Sequence, residues 1–205
     1  MNRTYSVVLA LLVSGCAISP SMTPPGSTAS AVSERAARVY REAIVIDTHN
    51  DMPSKMIDDG YDADARHTPG FEQNQGETDL PRLLESGVTG VFMSAYIDPE
   101  KWTFRTPDQS WEQVQVYLDT IHAFVNRHPG RLLFATTAEQ VRQAKREGKV
   151  AVLIGVEGGH AIENSLENLR ELHRRGVRYM TLTWNNGNEW AGAAAGLNGT
   201  RSGGL

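Results

Sequence analysis

The feature that most constrains the fold is the almost wholly apolar run at residues 150–156, Val-Ala-Val-Leu-Ile-Gly-Val. A strand with one solvent-facing side alternates polar and apolar residues, whereas a strand buried on both faces is apolar throughout. Strands of the second kind are typical of parallel sheets, because helices cover both faces of such a sheet. The run therefore predicts a parallel strand inside an α/β domain.

Candidate strands and helices alternate along the rest of the chain. Apolar and β-branched runs predict strands at residues 44–48, 88–97, 132–135 and 179–183, and apolar residues at helical spacing predict helices at 31–43, 80–85, 106–125, 137–148 and 166–176. The polar residues 58–78 predict a long loop. This order indicates an α/β fold with parallel strands.

Residues typical of helix ends mark several boundaries. Gly87 suits a left-handed cap after residues 80–85, and Thr137 with Gln140 predicts a capping box for a helix that ends at Gly148. Thr106, followed by a proline, predicts the start of the longest helix.

Two architectures fit this alternation. One is a doubly wound open sheet, and the other is a (β/α)8 barrel, which typically needs about 250 residues. No glycine-rich phosphate loop follows a predicted strand, which disfavours the nucleotide-binding form of the open sheet. The sequence stops in a glycine-rich stretch just after a strand, which is typical of an incomplete barrel.

The first 33 residues are not typical of a folded core. Residues 1–16 combine Arg3, a short apolar run and small residues before Cys16, the only cysteine in the sequence. Leu-Val-Ser-Gly-Cys resembles a bacterial lipobox, which predicts a lipid anchor on Cys16 and a place in the bacterial cell envelope, facing the periplasm or the exterior. An ordinary secretory signal is the alternative. Residues 17–33 predict a flexible linker, and residues 34–205 a folded domain. With a net charge of −4 and no basic stripe, nucleic acid is not expected as a partner.

Two groups of residues with metal-binding chemistry follow predicted strands. His49 and Asp51 end the first strand, and strand alternation predicts that both project to one side, with Asp47 one step deeper as an acceptor that orients the imidazole. Glu157 ends the apolar strand, where a buried carboxylate is costly unless it is paired or bound to metal. Carboxyl ends of parallel strands meet at one edge, so these side chains are predicted to share divalent cations. A solvated strand end is the alternative for each group taken alone.

Two further residues are candidates for contact with a substrate. His160 follows Glu157 by three positions, and it is either a substrate or second-layer group or, as we favour, a structural histidine. Trp184 follows the last predicted strand, where an aromatic ring lines a pocket or packs in the core.

These motifs together resemble the membrane (renal) dipeptidase family, peptidase family M19. Residues 45–53, Val-Ile-Asp-Thr-His-Asn-Asp-Met-Pro, are similar to its first metal-binding motif, and residues 155–160, Gly-Val-Glu-Gly-Gly-His, to its bridging-glutamate motif. Residues 178–183, with Asn186 and Trp190, are similar to its next strand and loop. The similarity runs from residue 43 to residue 204, with the motifs in the family's order.

The resemblance implies a TIM-barrel metallohydrolase of which this chain holds the N-terminal half. It implies two Zn²⁺ ions, with His49 and Asp51 on one ion and Glu157 bridging both as the catalytic carboxylate. Two histidines and an aspartate from later strands, beyond Leu205, would complete the site. The expected activity is hydrolysis of dipeptides by a metal-bound hydroxide, with the 205 residues inactive alone and a homodimer left open.

One departure from the family pattern concerns the substrate. Well-known members carry a substrate-contacting histidine where this chain has Trp184. Two other functions stay open. One is another amidohydrolase-like metalloenzyme, although those commonly show His-x-His on the first strand. The other is a non-catalytic lipoprotein binding module on the same fold.

Overall fold

A computed structural model describes residues 33–70, 75–97 and 109–194, which form a parallel sheet with helices packed against it. The strands are β1 (Ile46–Asn50), β2 (Gly90–Tyr96), β3 (Leu132–Phe134), β4 (Val150–Glu157) and β5 (Val177–Met180). The helices are α1 (Glu34–Glu42), α2 (Met52–Asp58), α3 (Leu80–Ser86), α4 (Ser110–Arg127), α5 (Ala138–Glu147) and α6 (Leu166–Arg174), and a 3₁₀ turn (Gly159–Ile162) follows β4. Cys16 and the predicted linker lie outside the described residues.

The strand order resembles one wall of a barrel. β1 pairs with β2, β2 pairs with β4 along its whole length, and every pair is parallel. The other side of β4 is shared, because the three-residue β3 pairs with its first half and β5 with its second half. The predicted parallel α/β sheet is thus confirmed. Its strands follow the order β1-β2-β4-β5, and the short β3 pairs with the same side of β4 as β5 does instead of lying between β2 and β4.

The two faces of the sheet are buried by different partners. The outer face of β2 and β4 packs against α4, whose buried residues include Val114, Tyr117, Leu118, Ile121, Phe124 and Val125. The opposite face, called the inner face below, carries Ile46, Phe92 and Leu153, which form a second apolar cluster with α5. β4 is therefore buried on both sides, as its apolar sequence predicts.

Helix ends follow the predicted chemistry where they are described. Gly87 and Gly148 cap α3 and α5 in the left-handed region, with φ of 78° and 66°. Thr137 and Gln140 form the predicted capping box. Thr106 lies outside the described residues, and the described part of α4 begins at Ser110.

Three predictions of local structure need correction. The last strand is Val177–Met180 and not 179–183, since the chain leaves the sheet after Thr181, whose N–H still donates to the carbonyl oxygen of Val156 on β4. The helix α2 was not predicted before the long loop, although Pro53 lies in its first turn. Leu166 and Leu169 of α6 face solvent, and only Leu172 of that leucine stripe is buried. Within the described ranges, no helix is both long enough and apolar enough to cross a membrane.

Candidate metal centre

A β-bulge at the end of β1 determines the direction of His49. Between Asp47 and Asn50, which both pair with β2, two residues of β1 lie opposite a single residue of β2. Such an extra residue reverses the face to which the following side chains project. His49 therefore turns to the inner face, where its Nε2 lies 3.2 Å from Glu157 Oε2. The regular alternation predicted from Asp47 is wrong, even though the predicted meeting of His49 with Glu157 is found.

Asp51 occupies the N-cap position of α2 but does not cap it with its side chain. The side-chain oxygen of Asn50 accepts the backbone N–H of Met52 at 3.1 Å instead. The Asp51 carboxylate turns toward the sheet, where Oδ1 lies 3.2 Å from His49 Nε2. Because the Asn50 side chain takes the N–H at the start of the helix, the Asp51 carboxylate faces His49 instead.

Glu157 is the last residue of β4 and pairs with Tyr96, the last residue of β2. Its side chain is 26% exposed at the carboxyl edge of the sheet. The chain then turns away from the sheet at Gly158, where a φ of 110° favours glycine. The Gly158 N–H donates to Thr181 Oγ1 at 2.8 Å. This turn leaves the carboxylate at the edge of the sheet beside His49.

The three side chains offer one nitrogen and two oxygen donors within 4.8 Å of one another. Zinc binds such atoms at about 2.0–2.2 Å in a tetrahedron, which separates any two donors by about 3.4 Å. The two separations from His49 Nε2, both 3.2 Å, are close to that spacing. His49, Asp51 and Glu157 therefore fit a divalent metal ion in donor type and in the two distances from the imidazole nitrogen.

The charges of the site also favour a cation. Burial and the negative charge of Asp51 raise the pKa of Glu157 above its ordinary value, although His49 opposes this effect. Among the described residues, no lysine or arginine lines the cavity that contains all three side chains, and Lys55, which lines the adjacent cavity beside His49 and Asp51, is paired with Asp59 at 3.3 Å. Like charges held together at a partly buried position are costly without a cation, which is typical of functional sites.

Tyr179 of β5 is a site residue that the sequence did not predict. Its hydroxyl lies 3.0 Å from His49 Nδ1 and donates to the carbonyl oxygen of Thr48 at 3.3 Å. Burial, together with the carboxylates of Glu157, Asp51 and Asp47, raises its pKa to about 12. The hydroxyl therefore keeps its proton near neutral pH.

Asp47 does not have the predicted contact with the imidazole. Its carboxylate accepts the backbone N–H of His49 at 3.1 Å and the side-chain amide of Asn50 at 2.8 Å. The same amide of Asn50 donates to Thr78 Oγ1 at 2.9 Å. Asp47 and Asn50 thus fix the bulge and attach the end of the long loop to it, while Tyr179 takes the place expected for Asp47.

A cavity of about 310 Å³ opens beside the three candidate ligands and is lined by His49, Asp51, Ser54, Tyr96, Glu157 and Trp184. The rings of Tyr96 and Trp184 lie 5.1 Å apart between centroids and form an aromatic wall. Trp184 therefore lines a cavity, which is one of the two placements that the sequence left open. Tyr96 was not predicted, although its position as the last residue of a central strand is a usable signal.

His160 lies beside this cavity but is not among its described lining residues. Its Nε2 is 3.0 Å from the carbonyl oxygen of Ile97. The glycines before it make room for protein groups, since a Cβ at Gly158 would meet the His160 ring and one at Gly159 would meet Trp190. These contacts support the structural role favoured for His160.

Comparison with known proteins identifies the family of this chain. The sequence model of the membrane dipeptidase family, peptidase family M19, matches residues 33–205. The chain belongs to the membrane dipeptidase family. A curated member, dipeptidase verJ of Clonostachys rogersoniana, is 35% identical over 170 residues, which cover 77% of this chain and 42% of that protein.

Solved structures of a metallopeptidase and of a probable dipeptidase share the fold. A metallopeptidase from Rhodobacter sphaeroides, bound to a phosphinate mimic of the dipeptide L-Ala-D-Ala, is 22% identical with a TM-score of 0.61, over 73% of this chain and 48% of the other. The probable dipeptidase PvdM from Pseudomonas aeruginosa is 19% identical with a TM-score of 0.65, over 77% and 39%. The chain thus spans less than half the length of these relatives, and its membrane dipeptidase fold is part of a TIM-type barrel.

Proposed function

We propose that the whole protein is a zinc-dependent dipeptidase that hydrolyses the single peptide bond of dipeptides. One observation carries the proposal: the side chains of His49, Asp51 and Glu157 converge at the carboxyl edge of the sheet, and both carboxylates lie 3.2 Å from the imidazole nitrogen, close to the donor separation in a tetrahedral zinc site. Membership of the membrane dipeptidase family supports the reaction class. The relatives' length supports further ligands on later strands of the barrel.

Each candidate ligand has a defined task in this proposal. His49 supplies a neutral nitrogen, Asp51 supplies a charged oxygen, and Glu157 offers two oxygens, so that it can hold two ions as a bridge. Zinc bound here supplies a Lewis acid that polarises a carbonyl group and lowers the pKa of water. A cation bound here would offset the negative charges of Asp51 and Glu157 and so relieve the repulsion between them.

The aromatic wall sets the substrate preference in this proposal. Tyr96 and Trp184 face the cavity beside Glu157, and they offer apolar ring surface to a substrate side chain. The imidazole that well-known members place at this position would offer hydrogen bonds instead. Trp184 therefore favours dipeptides with an apolar residue.

A non-catalytic binding module is the second candidate, and Trp184 is the observation that favours it. Replacing a substrate-contacting histidine by tryptophan keeps a binding surface and removes a polar group from the site. The two candidates differ in a measurable way, because a binding module retains dipeptides without releasing amino acids.

The test compares zinc content and dipeptide hydrolysis for the protein as its gene encodes it. Glu157→Gln is expected to lose bound zinc and turnover, because an amide is a much weaker zinc ligand than a carboxylate. Glu85→Gln is the matched control, since Glu85 is an exposed carboxylate paired with Arg66 outside the cavity. Retention of zinc and normal turnover by Glu157→Gln would show that the bridging role is wrong. Zinc and dipeptide binding without hydrolysis by the unmodified protein would favour the binding module.

We also propose that Cys16 carries a lipid that anchors the protein to the bacterial cell envelope. The lipobox-like sequence before it supports this location. Metabolic labelling with a radioactive fatty acid tests it: the unmodified protein is expected to be labelled and Cys16→Ala is not. Equal labelling of both, or labelling of neither, would contradict the proposal.

Residues 34–205 expressed alone are proposed to be inactive and poorly stable. Leu166 and Leu182 are 64% and 51% exposed near the β5 side of the sheet, and β5 pairs with β4 alone among the described strands. Apolar surface and an unpaired parallel edge both disfavour an isolated domain. A cooperative thermal unfolding transition for this segment would contradict the expectation.

A further inference from the structure

We infer that Tyr179 is a positioning residue that holds the bulge of β1 and selects the metal-binding tautomer of His49, an inference that rests on the proposed metal centre. Its hydroxyl touches both residues of the bulge, at 3.0 Å from His49 Nδ1 and 3.3 Å from the Thr48 carbonyl oxygen. The distances define a chain of hydrogen bonds that ends on the backbone.

The direction of this chain follows from its last acceptor. A carbonyl oxygen only accepts, so the Tyr179 hydroxyl donates its single proton to Thr48. Its oxygen is then left to accept, and the group facing it is His49 Nδ1. When Nε2 binds a metal ion, the proton of the neutral imidazole consequently lies on Nδ1 and is donated to the Tyr179 oxygen.

The other ring nitrogen of His49, Nε2, faces the other two candidate ligands. His49 Nε2 lies 3.2 Å from Asp51 Oδ1 and from Glu157 Oε2. Histidines that bind metals generally donate their second ring N–H to a fixed acceptor, and loss of such an acceptor typically lowers metal affinity about 10–100-fold. Tyr179 supplies this acceptor from β5, which pairs with β4 and not with β1, in the place where the sequence suggested Asp47.

The ring of Tyr179 is held firmly enough for this task. It lies against Phe92 with centroids 5.1 Å apart. On the other side, Gly155 leaves room for it, since a Cβ there would lie 2.0 Å from the ring carbon Cζ. Two strands of the sheet therefore fix the hydroxyl opposite the bulge.

Tyr179→Phe tests the inference, because it keeps the ring and removes only the hydroxyl. The protein as its gene encodes it is titrated with Zn²⁺ in competition with a chelator, and ¹⁵N-histidine NMR follows the His49 N–H of the zinc-loaded form. We expect about 10–100-fold weaker zinc binding and a His49 Nδ1–H that exchanges faster with water. Tyr40→Phe is the matched control, since its hydroxyl also donates to a backbone carbonyl, that of Ser86, outside the site.

The outcomes separate the two levels of the argument. Zinc binding by the unmodified protein and equally tight binding by Tyr179→Phe would overturn the inference alone. Absence of zinc binding by the unmodified protein would overturn the proposed metal centre and the inference with it. Should Tyr179→Phe fail to fold, the NMR spectrum of the unmodified zinc-loaded protein decides: a protonated Nδ1 of His49 supports the inference, and an unprotonated Nδ1 overturns it.

Discussion

The substitution Gly155→Ala is expected to destabilise the native protein, in which residue 179 is tyrosine. In a Tyr179→Ala background the same substitution is expected to be neutral or slightly stabilising. In the native sheet, the new Cβ would lie 2.0 Å from Cζ of Tyr179 and 2.4 and 2.5 Å from two further ring carbons. Favourable carbon–carbon contacts lie at about 3.5–4.0 Å, so the ring must move by more than an ångström. Phe92 lies against the same ring and limits that movement.

The magnitude follows from two opposing effects. Overpacking of a filled site costs about 1–3 kcal/mol, and an overlap with three ring atoms belongs at the upper end of that range. Alanine within a strand is more stable than glycine by about 0.5–1 kcal/mol. Gly155→Ala is therefore expected to lower the free energy of unfolding by about 2 kcal/mol. In a Tyr179→Ala background only the strand preference remains, so the same change is expected to be neutral or to stabilise by about 0.5 kcal/mol.

Urea unfolding of the four proteins in this double-mutant cycle measures the coupling directly. Gly130→Ala is the control, because a Cβ at Gly130 meets no atom within 4 Å. That variant is expected to stay within about 0.5 kcal/mol of the unmodified protein. An equal cost of Gly155→Ala with and without the Tyr179 ring would refute the packing argument.

Three further predictions concern the loop, the charge of the site and the substrate. Burial acts to raise the pKa of Asp79, but hydrogen bonds from the backbone of His67 and Arg82 and from the Arg82 guanidinium outweigh it and lower that pKa. Asp79→Ala is accordingly expected to reduce the free energy of unfolding by about 2–4 kcal/mol in urea titrations, and an unchanged urea midpoint would contradict this. In the native protein, the stabilisation from Asp79 is lost as the pH falls through the lowered pKa. Burial and the charge of Asp51 raise the pKa of Glu157, so its stabilising effect is present below the unfolded pKa and lost as pH rises through the folded one. In thermal melts with a chelator from about pH 4 to 8, Glu157→Gln is expected to melt higher at the neutral end, and a lower melting temperature there would refute the repulsion argument. If the proposed activity holds, Trp184→Ala is expected to lower kcat/KM about tenfold for dipeptides with large apolar residues while zinc content stays unchanged, and equal losses for glycine-containing dipeptides would argue against an apolar contact.

The sequence predicted those parts of the fold whose signals are local. The apolar run of β4, the capping box at Thr137, the left-handed cap at Gly87 and the helix end at Gly148 each depend on neighbouring residues, and each was found. The position of β3 beside the β1-β2-β4-β5 order depends on pairing between distant strands, which no local pattern encodes. Helix α2 was missed because its start at Asp51 had been assigned to metal binding alone, although the N-cap position and the following Pro53 were visible.

The candidate site shows the same division between local and distant information. The convergence of His49, Asp51 and Glu157 was predicted from strand ends and motif resemblance. The reason given for His49 was wrong, because the bulge and not regular alternation turns it inward. Tyr179 was missed because it lies 130 residues from His49 in the sequence, and no local pattern marks the contact between them. A tyrosine paired in register with a glycine on the neighbouring strand is the signal that points to it afterwards.

Crystals of the protein grown with zinc, with diffraction recorded on both sides of the zinc absorption edge, test the central claim most directly. We predict an anomalous peak at about 2.0–2.2 Å from His49 Nε2 and from carboxylate oxygens of Asp51 and Glu157. A zinc peak bound elsewhere, or none in a cavity still lined by these three side chains, would contradict the metal centre on which the proposed dipeptidase depends.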